Sequence, residues 1–255
     1  MRNVPLFDQD DHAFILLNES DPGEENGIES KQYLICHHGQ GVLLDPGGWG
    51  VMPRVLTEML PHLQPEQIST IILSHQDPDI VAGISTWLEL TSATVYVPAT
   101  WMRFLPHYGQ IDMGRFHGVP DQGQELTLEG YTMQLIPAHF LHSPGQINLF
   151  DPQSSILFSG DIGTAAIKPD QETRAFVDDF SDHLPAIQGF HRRYMACNRA
   201  LRIWTARVRQ LNPTMIAPQH GPVYRGDAVE GLLEWLEQLE CGADIMQADG
   251  TFPPL

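Results

Sequence analysis

The chain has 255 residues, 42% of them hydrophobic, and a formal net charge of −18 at pH 7. That length and apolar content suit one large packed domain, and a surface so acidic repels phosphate backbones, which speaks against nucleic-acid binding. Cys36, Cys197 and Cys241 are an odd number with no C-x-x-C, against a disulfide framework or a thiolate zinc site. No apolar run approaches the ~20 residues of a membrane span, and the first residues lack a signal-peptide core, so a soluble cytoplasmic protein is expected.

Residues 13–17 read as a short apolar strand, and 18–30, rich in Asp, Glu, Gly and Asn, as a turn or loop. Strands 33–36 and 42–44 are joined by His37-His38-Gly39-Gln40-Gly41, where adjacent histidines without a neighbouring carboxylate favour a hairpin turn over a metal site. Asp45-Pro46-Gly47-Gly48 is a turn by composition. Val55, Leu56, Met59, Leu60 and Leu63 make a helical stripe over 52–63, ended by Pro65. The β-branched run 68–73 reads as a buried strand and delivers Ser74-His75-Gln76-Asp77-Pro78-Asp79. Pro78 cannot continue a strand and biases Asp77 towards extended backbone. Three potential metal ligands in five residues of one loop form a negative pocket that suits a cation, although a solvated acidic turn has the same composition.

Downstream, 80–90 reads as a helix with Ile80, Ile84, Trp87 and Leu88 on one face, 93–97 as a strand, and 101–108 as a short helix or turn. Strands are expected at 125–128, 132–136, 147–149 and 156–158. His142, Asp161 and His220 each follow an apolar segment and precede a turn, which adds three ligand-type residues at strand ends. Residues 165–189 are acidic and irregular, the signature of a functional lid or a disordered connection. The clearest helix is 191–211, with Tyr194, Cys197, Leu201, Trp204, Val208 and Leu211 as its stripe and Arg192, Arg193, Arg199, Arg202 and Arg209 largely off it. A solvated face outweighs an acidic-partner site for those arginines. A last helix spans 227–240, buried or in a subunit contact, and 242–255 is expected to be loosely ordered unless docked. Strand and helix alternating in two halves predict an α/β fold, a four-layer αββα sandwich in a single domain of core 14–225.

Asp45, the cluster His75-x-Asp77-x-Asp79, His142, Asp161 and His220, in that order, resemble the metallo-β-lactamase superfamily. Within it they are most similar to the diiron branch, the flavodiiron proteins and the oxygen-binding diiron protein domains. The zinc branch carries H-x-H-x-D-H, whereas the diiron branch has an acid at the third position, here Asp77. The resemblance runs from about Phe14 to about Arg225 and implies two Fe ions, with His75, Asp77 and His142 on one, Asp79 and His220 on the other, and Asp161 bridging. Carboxylate suits iron better than a third histidine would, and three carboxylates leave two divalent ions a charge of about +1, which one bridging hydroxide cancels.

The resemblance also implies that Asp45 hydrogen-bonds the ligand loop without binding metal, and His139 and Tyr194 are expected as outer contacts. Where the pattern often has a histidine after Asp79, this chain has Ile80, which cannot ligate and leaves the second metal open. No stretch remains for a flavodoxin-like domain, so no FMN is expected and electrons would come from elsewhere. The leading expectation is therefore a protein that binds O2 as a stable, peroxide-like adduct, an oxygen sensor or carrier that signals through a partner protein. The alternatives are an O2 or NO reductase fed by a separate flavoprotein or rubredoxin, and a metal-dependent hydrolase. A homodimer is compatible with all three.

Overall fold

The strand-forming runs collect into two sheets that face each other. In the computed structural model, which describes residues 3–17, 29–166 and 174–253, the first sheet has seven strands in sequence order: β1 Val4–Gln9, β2 His12–Leu17, β3 Gln32–His37, β4 Gln40–Leu44, β5 Ile68–Ile72, β6 Thr94–Pro98 and β7 Phe116–Val119. The second comprises β8 Gln124–Leu128, β9 Tyr131–Pro137, β10 Ile147–Asp151, β11 Ile156–Gly160, β12 Met215–Pro218 and β13 Tyr224–Arg225, ordered β13-β12-β11-β10-β9-β8. Pairing is parallel from β4 through β7 and between β11 and β12, and antiparallel elsewhere.

Helices cover the outer faces: α1 Met52–Met59, α2 Pro78–Val81 and α3 Ile84–Leu90 on the first sheet, and α4 Phe180–Tyr194, α5 Asn198–Leu211 and α6 Asp227–Gln238 on the second. The two-residue period of the strands sorts the side chains. On β3, Tyr33 and Ile35 point between the sheets, against Leu149 and Phe158, while Leu34 points outward to the layer of Val55, Ile84 and Trp87. Across the second sheet, Leu157 and Ile216 meet Leu201, Trp204, Val208 and Leu232. The expected αββα order of layers is therefore present.

The strands end where the ligand-type residues begin. Gly160 lies opposite Pro218 in the parallel β11–β12 pair, so Asp161 and His220 leave the sheet at the same height. The sheets are stitched together at that level, where Ile147 N–H donates to Ser74 O at 3.0 Å and the Tyr33 hydroxyl donates to Pro218 O at 2.7 Å. At the opposite pole, buried His12 bonds Asp151 at 2.8 Å and lies 3.1 Å from His37, so His37 belongs to a polar contact between the sheets.

Four expectations need correction. The helix expected over 80–90 is two pieces, α2 and α3, because a Cβ on Gly83 would sit 2.8 Å from Gly47 O, and this close approach of the 46–48 turn breaks the run. The segment 165–189 is not irregular throughout. Asp179 accepts from Ser181 N–H and Asp182 N–H and starts α4, whose buried Ile187 and His191 were obscured by Pro185 and Gly189, while 167–173 lie outside the described residues. The single helix expected over 191–211 is broken at 195–197, where Met195 bridges Leu141 and Ala196 N–H donates to Phe140 O at 3.0 Å. That pairing, closed from behind by Ala243 N–H on Ala196 O, forces an extended stretch between α4 and α5 and docks the start of the 242–255 tail. Strands β1, β7 and β13 were not anticipated: β13 has only two residues, β1 carries a proline, and β7 has four residues including a glycine.

Candidate metal centre

Three loops from parallel or central strands and one long turn converge between the sheets. His75 follows β5, Asp161 follows β11, His220 follows β12, and His142 sits in the connection from β9 to β10. In that connection Phe140 and His142 both adopt the left-handed backbone, at φ 63° and 72°, a conformation that costs a non-glycine residue of order 1 kcal/mol or more. Backbone bonds hold it: Ala138 N–H to Gln146 O at 2.8 Å and Phe140 N–H to Ser143 O at 2.9 Å.

The six residues meet in two groups around Asp161. His142 Nε2 lies 2.9 Å from Asp77 Oδ2 and 3.4 Å from Asp161 Oδ2, and His75 Nε2 lies 3.5 Å and 3.7 Å from the same two atoms. On the other side, His220 Nε2 lies 3.3 Å from Asp79 Oδ2 and 3.6 Å from Asp161 Oδ1. One Asp161 oxygen thus faces each group. Among the described residues, His75, Asp77 and His142 offer donor atoms that all lie within 4.8 Å of one another, as a metal requires. Asp161 Oδ1 and His142 Nδ1 are buried with no hydrogen-bond partner. An unpartnered buried carboxylate oxygen is costly, and a cation between Asp161, Asp79 and His220 would remove that cost, so the donor set is compatible with a metal on that side as well.

The surroundings aim the imidazoles. The Ser74 hydroxyl donates to Asp45 Oδ2 at 2.6 Å and so accepts from His75 Nδ1–H at 2.9 Å, while Asp45 Oδ1 accepts Ser74 N–H at 2.7 Å. This relay leaves His75 Nε2 with its lone pair towards Asp77 and Asp161. His220 is oriented the same way, Nδ1–H donating to Glu29 O at 2.6 Å. Gln76 ties two ligand loops together: its amide donates to Asp77 Oδ1 at 2.8 Å, its carbonyl accepts from Ser143 Oγ at 2.8 Å, and the Tyr108 hydroxyl caps its backbone carbonyl. Fully buried Gln219 donates to Asp79 Oδ2 at 3.2 Å. Behind Asp161, His191 accepts Gly163 N–H on Nε2 at 2.9 Å and donates Nδ1–H to Ile187 O at 2.8 Å.

The electrostatics match this geometry. Burial raises the carboxyls of Asp77 and Asp79, but the imidazoles of His142 and His75 beside Asp77, and of His220 beside Asp79, outweigh it and hold both below the usual range. Burial opposes charge on His220, yet Asp79 and Asp161 outweigh it and push its imidazole up to about 9; His75 moves the same way against the same burial. Burial pushes Asp45 up to about 7. Histidines and carboxylates that draw charge into each other form a set in which a cation can replace the protons.

The expected outer contacts divide. Asp45 bonds the ligand loop through Ser74. Tyr194 lies off the buried stripe assigned to it, 55% exposed, with its ring 5.6 Å from His142 and stacked on Phe190 at 4.8 Å. His139 turns away and bonds Asp121 O at 2.9 Å, so it makes no hydrogen bond to the six. Ile80 is fully buried in the first sheet's helical layer. Ser74, Gln76, Gln219 and His191 were missed. The first three had a signal, a polar residue directly beside a ligand-type residue at the end of an apolar strand; His191, inside a helix, had none.

An αββα sandwich with this six-residue cluster at the strand ends, and an acid at position 77, defines the flavodiiron-like class of metallo-β-lactamase folds. The family model described as ODP family beta lactamase matches residues 28–221, and the chain belongs to that family. It superposes with a TM-score of 0.86 on the solved peroxy diiron species of chemotaxis sensor ODP, at 45% identity over 96% of this chain and 97% of that one. The apo state of chemotaxis sensor ODP from T. denticola gives 0.84 at 45% identity, over 95% of this chain and 97% of that one. The rubredoxin oxygen:oxidoreductase of Desulfovibrio gigas, at 17% identity, TM-score 0.76 and coverage of 88% and 59%, shares the fold. Among curated relatives, Diflavin flavoprotein A 1 of Synechocystis is 25% identical over 84% of this chain and 38% of its own length. The Beta-lactamase-like protein 2 homolog of Caenorhabditis elegans is 26% identical over 85% and 63%. The chain therefore spans between about a third and two thirds of the length of these curated relatives.

Proposed function

We propose that this chain is a non-haem diiron protein that binds O2 and passes its state to a partner protein, as an oxygen sensor or carrier. His75, Asp77 and His142 would hold one iron and Asp79 and His220 the second, with Asp161 between the two groups. The observation that carries this reading is the Asp161 carboxylate, with Oδ2 facing the first group at 3.4 and 3.7 Å and Oδ1 facing His220 at 3.6 Å. When bound, an iron pair would supply two electrons to a diatomic ligand. The chain's own residues set the rest. Asp45 and Ser74 fix the His75 tautomer, Glu29 O fixes that of His220, and Gln76 and Gln219 orient Asp77 and Asp79. Phe190 and Tyr194 lie over His142 and screen it from water. Ile80, beside Asp79, offers no donor atom, so the Asp79 and His220 side has fewer protein ligands than the other.

The reading includes no flavin held by these residues, and electrons for any turnover would be supplied from outside this metal-binding unit. The likeness to the chemotaxis sensor ODP, at 45% identity over nearly the whole length of both chains, supports the sensing role over sustained reduction of O2 or NO. The experiment is elemental analysis of protein produced with iron available: about two irons per chain are expected, and zinc alone with hydrolytic activity would place the protein with the hydrolases.

A further inference from the structure

The acidic character of this chain stops abruptly in one place. From residue 183 to residue 226 there are seven arginines, Arg192, Arg193, Arg199, Arg202, Arg207, Arg209 and Arg225, and none of the chain's 32 Asp and Glu residues. Most of these arginines lie on or next to α5. Its inner side, Leu201, Trp204, Thr205 and Val208, is buried in the second helical layer. Its outer side presents Arg199, Arg202, Ile203, Ala206, Arg207 and Gln210, all exposed and spaced three and four apart, a continuous stripe.

Two features of the stripe cost stability. Ile203 is 64% exposed, more than any other large hydrophobic among the described residues, and its β-branch is a mediocre helix former. Arg199 and Arg202, three apart, repel each other. Neighbouring cations are used within the fold: Arg209 pairs with Glu230 and Glu237 of α6, and Arg193 lies over the Phe252 ring. Arg199, Arg202 and Arg207 have no carboxylate in ion-pair range among the described residues. Arg202 feels the field of Glu237, whose carboxylate Arg209 already holds. The stripe runs into a groove of about 420 Å³, where Arg207 and Gln210 face Gln124, Gln134 and Pro137 at the edge of the second sheet.

We propose that this face of α5 docks an acidic amphipathic segment of another protein, with apolar side chains over Ile203 and Ala206 and flanking carboxylates on Arg199, Arg202 and Arg207. Charge complementarity selects an acidic occupant, and the apolar centre selects protein over nucleic acid, which the chain's net charge of −18 repels elsewhere. A second copy of this chain would have to meet the stripe with a different, acidic surface, a heterologous contact that builds rings or open strings instead of a two-fold dimer. The proposal does not rest on the diiron reading, because no ligand candidate lies on α5. The extended residues 195–197 pair with the turn that carries His142, so α5 begins one short segment from the metal centre.

The test is fluorescence anisotropy of the full chain with a labelled helical peptide bearing a leucine stripe flanked by glutamates, a scrambled peptide of equal composition, and a single-stranded DNA oligonucleotide. The variants are Arg199→Glu with Arg202→Glu and Arg207→Glu, Ile203→Ser, and Arg103→Glu as a charge reversal off the face. Circular dichroism and iron content check folding. Expected are salt-sensitive binding of the amphipathic peptide, weakening of about tenfold or more in the triple variant, a smaller loss in Ile203→Ser, no change in Arg103→Glu, and recovery when the triple variant meets a peptide with lysines for glutamates. Equal binding of the scrambled peptide, equal binding by the triple variant, tighter binding of the oligonucleotide, or self-association abolished by the triple variant would each overturn the proposal.

Discussion

Replacing His191 with Gln reads the Asp161 loop without touching a ligand candidate. In the folded chain His191 is fully buried, accepts Gly163 N–H and donates to Ile187 O, so it is neutral, and burial pushes its imidazole down to about 4 from the ordinary 6.5. The unfolded chain binds this proton at the ordinary value, so it holds more protons than the folded chain between those limits. Stability from His191 is therefore complete above about pH 6.5 and is lost as pH falls towards 4, the reverse of a histidine that gains an acidic partner. At 1.36 kcal/mol per pKa unit, the loss between roughly pH 7 and pH 4.5 is about 2 kcal/mol. Gln retains one acceptor and one donor without titrating. Urea unfolding of metal-free wild type and H191Q over that range should show wild type losing about 2 kcal/mol more than the variant, because the other histidines titrate equally in both. Parallel curves would refute the placement of a buried neutral imidazole behind Asp161.

Further outcomes follow from the site. Asp161→Ala should lose most of its iron, since the carboxylate faces both donor groups, and metal analysis showing both ions retained would remove it from the site. Gln76→Leu should weaken metal affinity by roughly 10- to 100-fold with little loss of fold, read by competition with a chelator, because it frees Asp77 Oδ1 and Ser143 together. Asp45→Ala should destabilise the protein by about 2–4 kcal/mol by leaving the Ser74 amide and hydroxyl unpaired in a buried position, measured by denaturant unfolding. Purified protein should carry no tightly bound FMN, and a yellow preparation with flavin absorbance would contradict this.

Much of this architecture can be read from the chain because strand ends announce themselves. An apolar β-branched run such as 68–72 followed by Ser74-His75 places its polar residues at the sheet edge, and the same logic locates Asp161 and His220. His142 is legible as a residue type but not as a geometry, because its left-handed backbone depends on bonds to Gln146 and Ser143 and on the strand-like contact with residues 195–196. The helix break at 195–197 is invisible for the same reason: the apolar period continues through it, and the partner that forces extension lies over 50 residues away. His191 and His139 show the converse error. Spacing cannot tell an imidazole that faces the ligands from one that faces Asp121, nor find one that supports them from a neighbouring helix.

The most direct measurement mixes the iron-loaded, reduced protein with O2 in a stopped-flow spectrometer while O2 consumption is followed with excess reductant. A visible band that persists for minutes, with about one O2 taken up per iron pair, is the predicted result, because the rings over His142 restrict water. Rapid, sustained O2 consumption without a lasting band would contradict the sensing role and make the protein a reductase.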